Sequence, residues 1–108
     1  MAKKGSIDEE LYRKTSINDL ILFSIFSLRG KCSFEVLVKE CFSLFPKSFS
    51  LLKFPKWPDS RKLDRSLRTL RNRRLISGGP KTIFSLTKLG KKTAEEIAKT
   101  FRQRKLKL

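Results

Sequence analysis

Four side chains that can donate hydrogen bonds to a ligand recur at helical spacing in the second half of the chain. They are Arg61, Arg65, Arg68 and Asn72, separated by four, three and four residues. Because an α-helix turns by about 100° per residue, this spacing places all four on one face of a helix. A guanidinium carries a planar fork of donors that fits phosphate oxygens or the O6 and N7 atoms of guanine, and a carboxamide fits adenine similarly. Such a face has the chemistry to lie against nucleic acid.

The helix that would carry this face spans residues 59–74. Leu63, Leu67 and Leu70 recur at positions i, i+4 and i+7 on its opposite side, which predicts a buried stripe. Asp59 or Ser60 is a suitable N-cap, since a short oxygen-bearing side chain can accept from the free amides of the first turn. The spacing therefore predicts an amphipathic helix whose leucines face the core and whose arginines face solvent.

Charge is distributed unevenly along the 108 residues. Residues 1–52 contain eight basic and six acidic residues, whereas residues 53–108 contain 18 basic and four acidic ones. A chain that is nearly neutral in one half and strongly cationic in the other indicates a surface for a polyanion. Charge for thermal stability alone is less well supported, because such surfaces mix both signs in networks.

The composition argues against catalysis and metal binding. There is no histidine, the ten acidic residues are dispersed, and the spacing of Cys32 and Cys41 fits no zinc signature. We therefore expect no enzymatic activity, no metal, no cofactor and no small-molecule ligand. Two buried, reduced thiols favour an intracellular, cytoplasmic location. The longest apolar run, residues 20–26, is too short to span a membrane, and the N-terminus lacks the apolar core of a signal peptide.

The elements before the arginine-rich helix follow from periodicity and capping residues. Residues 1–14 are charged and aperiodic, which predicts a flexible tail that is disordered or weakly helical. Ser16 or Asn18 caps a first helix whose apolar residues cover nearly its whole circumference, so it lies in the core or shares a surface with a second copy. Ser33 caps a second helix that ends before Pro46. Both cysteines are predicted on this second helix.

A connector with prolines at positions 46, 55 and 58 joins the second and third helices. The prolines argue against helix and predict an extended loop, with a short strand around residues 49–52. Its large aromatic residues, Phe54 and Trp57, are predicted to pack on the core.

A change of periodicity follows residue 74. Apolar arms at residues 75–77 and 83–86 flank a glycine-containing turn, which predicts a β-hairpin. Thr87 caps a last helix, and the basic residues 102–108 are predicted to fray. The predicted domain therefore spans residues 15–101, with a tail at each end.

The order of elements, together with two sequence passages, resembles the winged helix-turn-helix regulators of the MarR and PadR kinds. The passages are LDRSLRTLRNRRLI, residues 63–76, and FSLTKLGKKTAEEIAK, residues 84–99. In those regulators a Leu- and Arg-rich recognition helix leads into a short strand, and the hairpin, or wing, leads into a Leu-Thr-x-x-Gly helix start. Leu86, Thr87 and Gly90 match that start. The resemblance implies a mainly α fold with a small β-hairpin: three helices, a wing and a C-terminal helix.

The resemblance and the charge distribution together predict sequence-specific binding of double-stranded DNA by a small, nucleoid-associated transcription regulator. Helix 59–74 would enter the major groove and wing residues 77–83 would contact the flanking backbone. A homodimer is expected, formed through the first or last helix. Two alternatives stay open, namely an RNA-binding winged helix and a protein-interaction module. The candidate nucleic-acid-binding residues are Ser60, Arg61, Lys62, Arg65, Arg68, Thr69, Asn72 and Lys81.

Overall fold

Helices make up most of the structure, and a small antiparallel sheet completes it. The computed structural model describes residues 7–79 and 81–107, with side chains through residue 105. The mainly α architecture agrees with the sequence-based prediction. The elements, in chain order, are α1 (Glu9–Tyr12), α2 (Ile17–Ser27), β1 (Lys31–Cys32), α3 (Phe34–Leu44), α4 (Pro46–Phe49), α5 (Ser60–Asn72), β2 (Ile76–Ser77), β3 (Phe84–Leu86) and α6 (Lys88–Lys107).

Serine side chains start the two helices that build most of the N-terminal half. The hydroxyl of Ser16 accepts from the backbone N–H of Asp19 at 3.2 Å, and that of Ser33 accepts from Val36 at 3.3 Å. Each bond satisfies one of the amides that a first helical turn leaves without a partner. The predicted caps of α2 and α3 are therefore confirmed.

Helix α2 is the central element of the core. Leu20, Ile21, Leu22 and Ile25 are each at most 1% exposed, because α3, α5 and α6 all pack against this helix. Most of its apolar circumference is thus covered within one chain, whereas Ile17, Phe23 and Phe26 are half-buried. The predicted dimer through the first or last helix stays a prediction.

An aromatic cluster joins both ends of the chain to this core. The ring of Phe45 lies 4.9 Å from that of Tyr12 and 6.1 Å from that of Phe101, measured between centroids. This part of the 1–14 segment forms the short helix α1, as one of the two predicted states allows, but Tyr12 is 1% exposed, so the segment packs on the core and is not a free tail. Residues 1–6 of that segment lie outside the described residues.

Helix α6 continues well beyond the predicted domain end at residue 101. Its Arg104 donates from Nη1 to the carbonyl of Leu11 at 2.7 Å and to the hydroxyl of Thr15 at 2.9 Å. These bonds hold the end of α6 against α1 and the segment that follows it. The predicted fraying is therefore wrong for the described part of 102–108, whereas residue 108 lies outside it.

Three strands form the sheet in the order β1-β3-β2, and both pairings are antiparallel. The predicted hairpin is present as β2 and β3, with Ile76 opposite Leu86. Strand β1 was not predicted, and it places Cys32 opposite Phe84 rather than on the second helix. The strand has only two residues and pairs across more than fifty positions, so it leaves no local pattern in the sequence.

The connector between α3 and α5 differs most from prediction. Pro46 begins the short helix α4 instead of excluding a helix, because proline fits the first helical position, where no N–H bond is needed. The predicted strand around 49–52 is reduced to a single bridge between Ser50 and Pro58. Phe54 and Trp57 are 62% and 64% exposed, so their predicted packing on the core is wrong.

Candidate nucleic-acid interface

Helix α5 presents the arginine face that the sequence predicted. The carboxylate of Asp59 caps the helix, since it accepts from the backbone N–H of Lys62 at 3.1 Å. Leu63, Leu67 and Leu70 are at most 3% exposed and seat the helix on the core. The opposite side is therefore held rigidly toward solvent. The exposed residues there are Ser60, Arg61, Arg65, Arg68 and Asn72.

Two predicted binding residues lie on the flanks of α5 rather than on its outermost face. Lys62 is half-buried, and its Nζ donates to the carbonyl of Ser48 at 2.8 Å. This bond ties the first turn of α5 to α4, so Lys62 has a structural partner before any ligand binds. Thr69 is also half-buried.

One arginine of the exposed face has an acidic neighbour. Nη2 of Arg68 lies 3.2 Å from Oδ2 of Asp64, one helical turn earlier. The arginine side chain is 71% exposed, and exposed pairs of this kind contribute about 0–1 kcal/mol. The pair can therefore open at little cost when a stronger anion approaches.

The β2–β3 hairpin is fastened to the end of α5. Arg71 donates from Nη1 to the carbonyl of Gly78 at 3.1 Å. Gly78 has φ +95°, and a Cβ at this position would collide with the carbonyl oxygen of Ile83, so the close turn requires glycine.

Lys81 is exposed in this turn. The turn is also closed by Thr82, whose N–H donates to the carbonyl of Gly79 at 3.0 Å. Residue 80 of the predicted wing lies outside the described residues.

The Thr87 and Gly90 pair locks the start of α6 against the end of α5. The hydroxyl of Thr87 donates to the carbonyl of Arg74 at 2.7 Å and accepts from the N–H of Gly90 at 3.0 Å. A Cβ on Gly90 would collide with the carbonyl oxygen of Leu75. These two residues therefore join the start of α6 to the short segment, Arg74 and Leu75, that links α5 to the hairpin. The sequence suggested the helix cap but not this junction.

Cations outnumber acids on this surface. The two acids are Asp59, which caps α5, and Asp64, which contacts Arg68. Around them stand the exposed arginines of α5, together with Arg73 and Arg74 at its end. Arginines stay charged at every physiological pH, so the surface is permanently cationic.

No protein-family model, curated protein or solved structure gives a significant match to this chain. Within residues 7–79 and 81–107, no cluster of three or more His, Cys, Asp or Glu side chains could hold a metal ion. The same residues contain no helix that combines the length and apolar character needed to cross a membrane. The site is thus defined by its own geometry and charge.

Cys32 and Cys41 lie away from this surface as buried free thiols. Burial, with a smaller contribution from the charge of Glu40, raises the pKa of Cys32 to about 11. Burial raises the pKa of Cys41 to about 12, against a smaller lowering by its hydrogen bond with Ser24. Because the thiolate is the reactive form, both side chains are held in an unreactive state.

We expect both thiols to resist alkylation by iodoacetamide at pH 8 in the folded protein and to react promptly in denaturant. Their raised pKa values also make the folded state lose stability as pH rises from the ordinary thiol value of 9.0 through about 11 for Cys32 and about 12 for Cys41. Mass spectrometry of timed samples measures the labelling. Equal rates with and without denaturant would show that the thiols are accessible.

Proposed function

We propose that this protein binds double-stranded DNA in a sequence-specific manner, as a transcription regulator does. The observation that carries the proposal is the outer face of α5, where Arg61, Arg65, Arg68 and Asn72 stand exposed on a helix anchored by buried leucines. The major groove of B-DNA is about 12 Å wide and admits one α-helix with its side chains. Helix α5 has 13 residues, so it is about 20 Å long, which suits this groove.

The hairpin supports a winged helix-turn-helix mode of binding. Arg71 hydrogen-bonds the hairpin to α5, and Lys81 is exposed in the hairpin turn. A contact between Lys81 and a phosphate would therefore help to orient α5 on the DNA. In this arrangement the helix reads base edges and the wing contacts the backbone beside the groove. Arginine would recognise guanine and Asn72 adenine, while Ser60 and Thr69 would donate to phosphates.

Duplex DNA is favoured over duplex RNA by the shape of the two grooves. The major groove of A-form RNA is deep and narrow, so the side chains of an inserted helix cannot read it. The outer face of α5 carries three exposed arginines on a single helix, and the wider DNA groove admits such a helix with its side chains. A protein-interaction module, in which the first predicted helix (α2) docks onto a partner, is the weaker alternative because Leu20, Ile21 and Leu22 of that helix are buried within this chain.

Titration of labelled duplex DNA over a range of salt concentrations tests the proposal. We expect the logarithm of the affinity to fall with the logarithm of salt with a slope of about −5, which corresponds to roughly six neutralised phosphates. Selection from a random duplex pool should return a consensus sequence, and structured RNA should compete poorly. Affinity at about 0.1 M salt no greater than that of a polylysine of equal charge, or selection without a consensus, would refute sequence-specific binding.

A further inference from the structure

The most exposed large apolar side chains of the described chain include three from one loop, residues 50–58, which we call the aromatic loop. Leu52 is 95% exposed, Phe54 62% and Trp57 64%. Aromatic residues ordinarily bury most of their surface, and clusters of exposed ones mark binding sites on soluble proteins. The α5 arginine face makes no use of these side chains, so they require a separate explanation.

The backbone of the aromatic loop is closed by its own hydrogen bonds. Leu51 donates to the carbonyl of Trp57 at 2.9 Å, and Trp57 donates to that of Phe54 at 2.9 Å. At the base of the loop, the backbone N–H of Asp59 donates to the carbonyl of Phe49 at 2.6 Å. The rings of Pro55 and Pro58 also fix their own backbone φ angles. The loop therefore has a defined conformation that holds its aromatic side chains outward.

The charge of the aromatic loop selects an anionic partner. Lys53 and Lys56 alternate with the aromatic residues and are exposed, and the sequence contains no acid from residue 41 to residue 58. Arg61 follows Trp57 by four residues, so their Cα atoms are at most about 15 Å apart. That distance equals roughly four steps along a nucleic-acid strand at 3.4 Å each. One strand can therefore contact both the loop and the start of α5.

We propose that the aromatic loop stacks on unpaired bases next to the duplex that α5 holds, so that the preferred ligand is a duplex with a single-stranded extension or opened end. This inference rests on the proposed function. Every base offers a flat π face to Phe54 or Trp57, and the interleaved lysines lie within reach of the phosphates. An anionic lipid surface is the competing ligand for these cationic and apolar side chains, and vesicles separate the two ligands in the test.

Trp57 is the single tryptophan of the sequence, so its fluorescence reports on the loop alone. The test compares a blunt duplex with the same duplex carrying a short single-stranded extension, and with a longer blunt duplex that has the same number of phosphates. We expect the extended duplex to quench Trp57 and to bind about tenfold or more tightly than either blunt duplex. Vesicles of anionic phospholipid form a third arm.

The variant Phe54→Leu plus Trp57→Leu keeps the loop apolar but removes both flat rings. Anisotropy of labelled DNA should show that it binds the blunt duplex as the unaltered protein does and loses the tenfold preference. The matched control is Leu89→Ala, which removes another exposed apolar side chain, on α6, and should retain the preference.

Three outcomes would overturn the inference. The first is equal affinity for the extended duplex and the phosphate-matched blunt one, with Trp57 unquenched. The second is a leucine double variant that keeps the preference, and the third is a fluorescence response to anionic vesicles alone. In each case, retained binding to blunt duplex would leave the proposed function standing. Absence of binding to any duplex would defeat both proposals.

Discussion

Replacing Arg61, Arg65 and Arg68 together by glutamine is expected to weaken binding to the selected duplex by about a hundredfold or more near 0.1 M salt. A good bidentate contact between arginine and guanine contributes about 1–3 kcal/mol, and contacts with phosphate add a salt-dependent part. Arg68 must first leave Asp64, which lowers its share by about 0–1 kcal/mol because that pair is exposed. Anisotropy titration measures the affinity, and a melting curve verifies the fold.

A second triple variant separates position from charge. Arg13, Lys14 and Lys39 are exposed outside α5 and the hairpin, so their replacement by glutamine removes the same formal charge from elsewhere on the molecule. This control should lose much less affinity and keep the selected consensus. Equal losses in the two triple variants would mean that α5 acts only as part of a general cationic surface.

Local chemistry explains why so much of α5 could be predicted. The leucine spacing, the Asp59 cap and the outward arginines all depend on residues within one helix, and each has the predicted position. The bond between Lys62 and Ser48 could not be predicted, because it depends on how α4 packs beside the first turn. The bond from Arg71 to the hairpin could not be predicted for the same reason, since it joins two different elements. The spacing of these residues therefore predicts which side chains face outward, but not which of them the fold already uses.

The aromatic loop shows a different limit of sequence reasoning. Phe54 and Trp57 were expected in the core because burial is the usual state of large apolar side chains. Prolines at positions 55 and 58 instead hold a short segment whose backbone bonds are satisfied internally, so no core contact is needed to order it. An apolar residue in a proline-rich, acid-free segment beside a cationic helix is thus a candidate for binding as well as for packing.

The substitution Gly90→Ala is expected to destabilise the fold by about 3 kcal/mol, the upper part of the range for overpacked sites. Helix propensity alone predicts the opposite, since alanine in a helix interior is favoured over glycine by about 1 kcal/mol. The collision outweighs the helix propensity, so the net change in the free energy of unfolding is a loss. The new Cβ would meet the backbone carbonyl of Leu75, which cannot rotate away as a side chain could. Relief requires α6 to move away from the end of α5.

That movement would also affect the proposed DNA binding, because Thr87 joins the same helix start to the carbonyl of Arg74. Thermal unfolding should show a melting temperature lower by roughly 10 °C or more, given about 4–8 °C per kcal/mol for a domain of this size. The control is Lys92→Ala, an exposed position on α6 that should leave the melting temperature nearly unchanged. An unchanged or higher melting temperature for Gly90→Ala would mean that α6 does not rest on Leu75. The junction could then not be what holds the hairpin and the arginine face in a fixed relation.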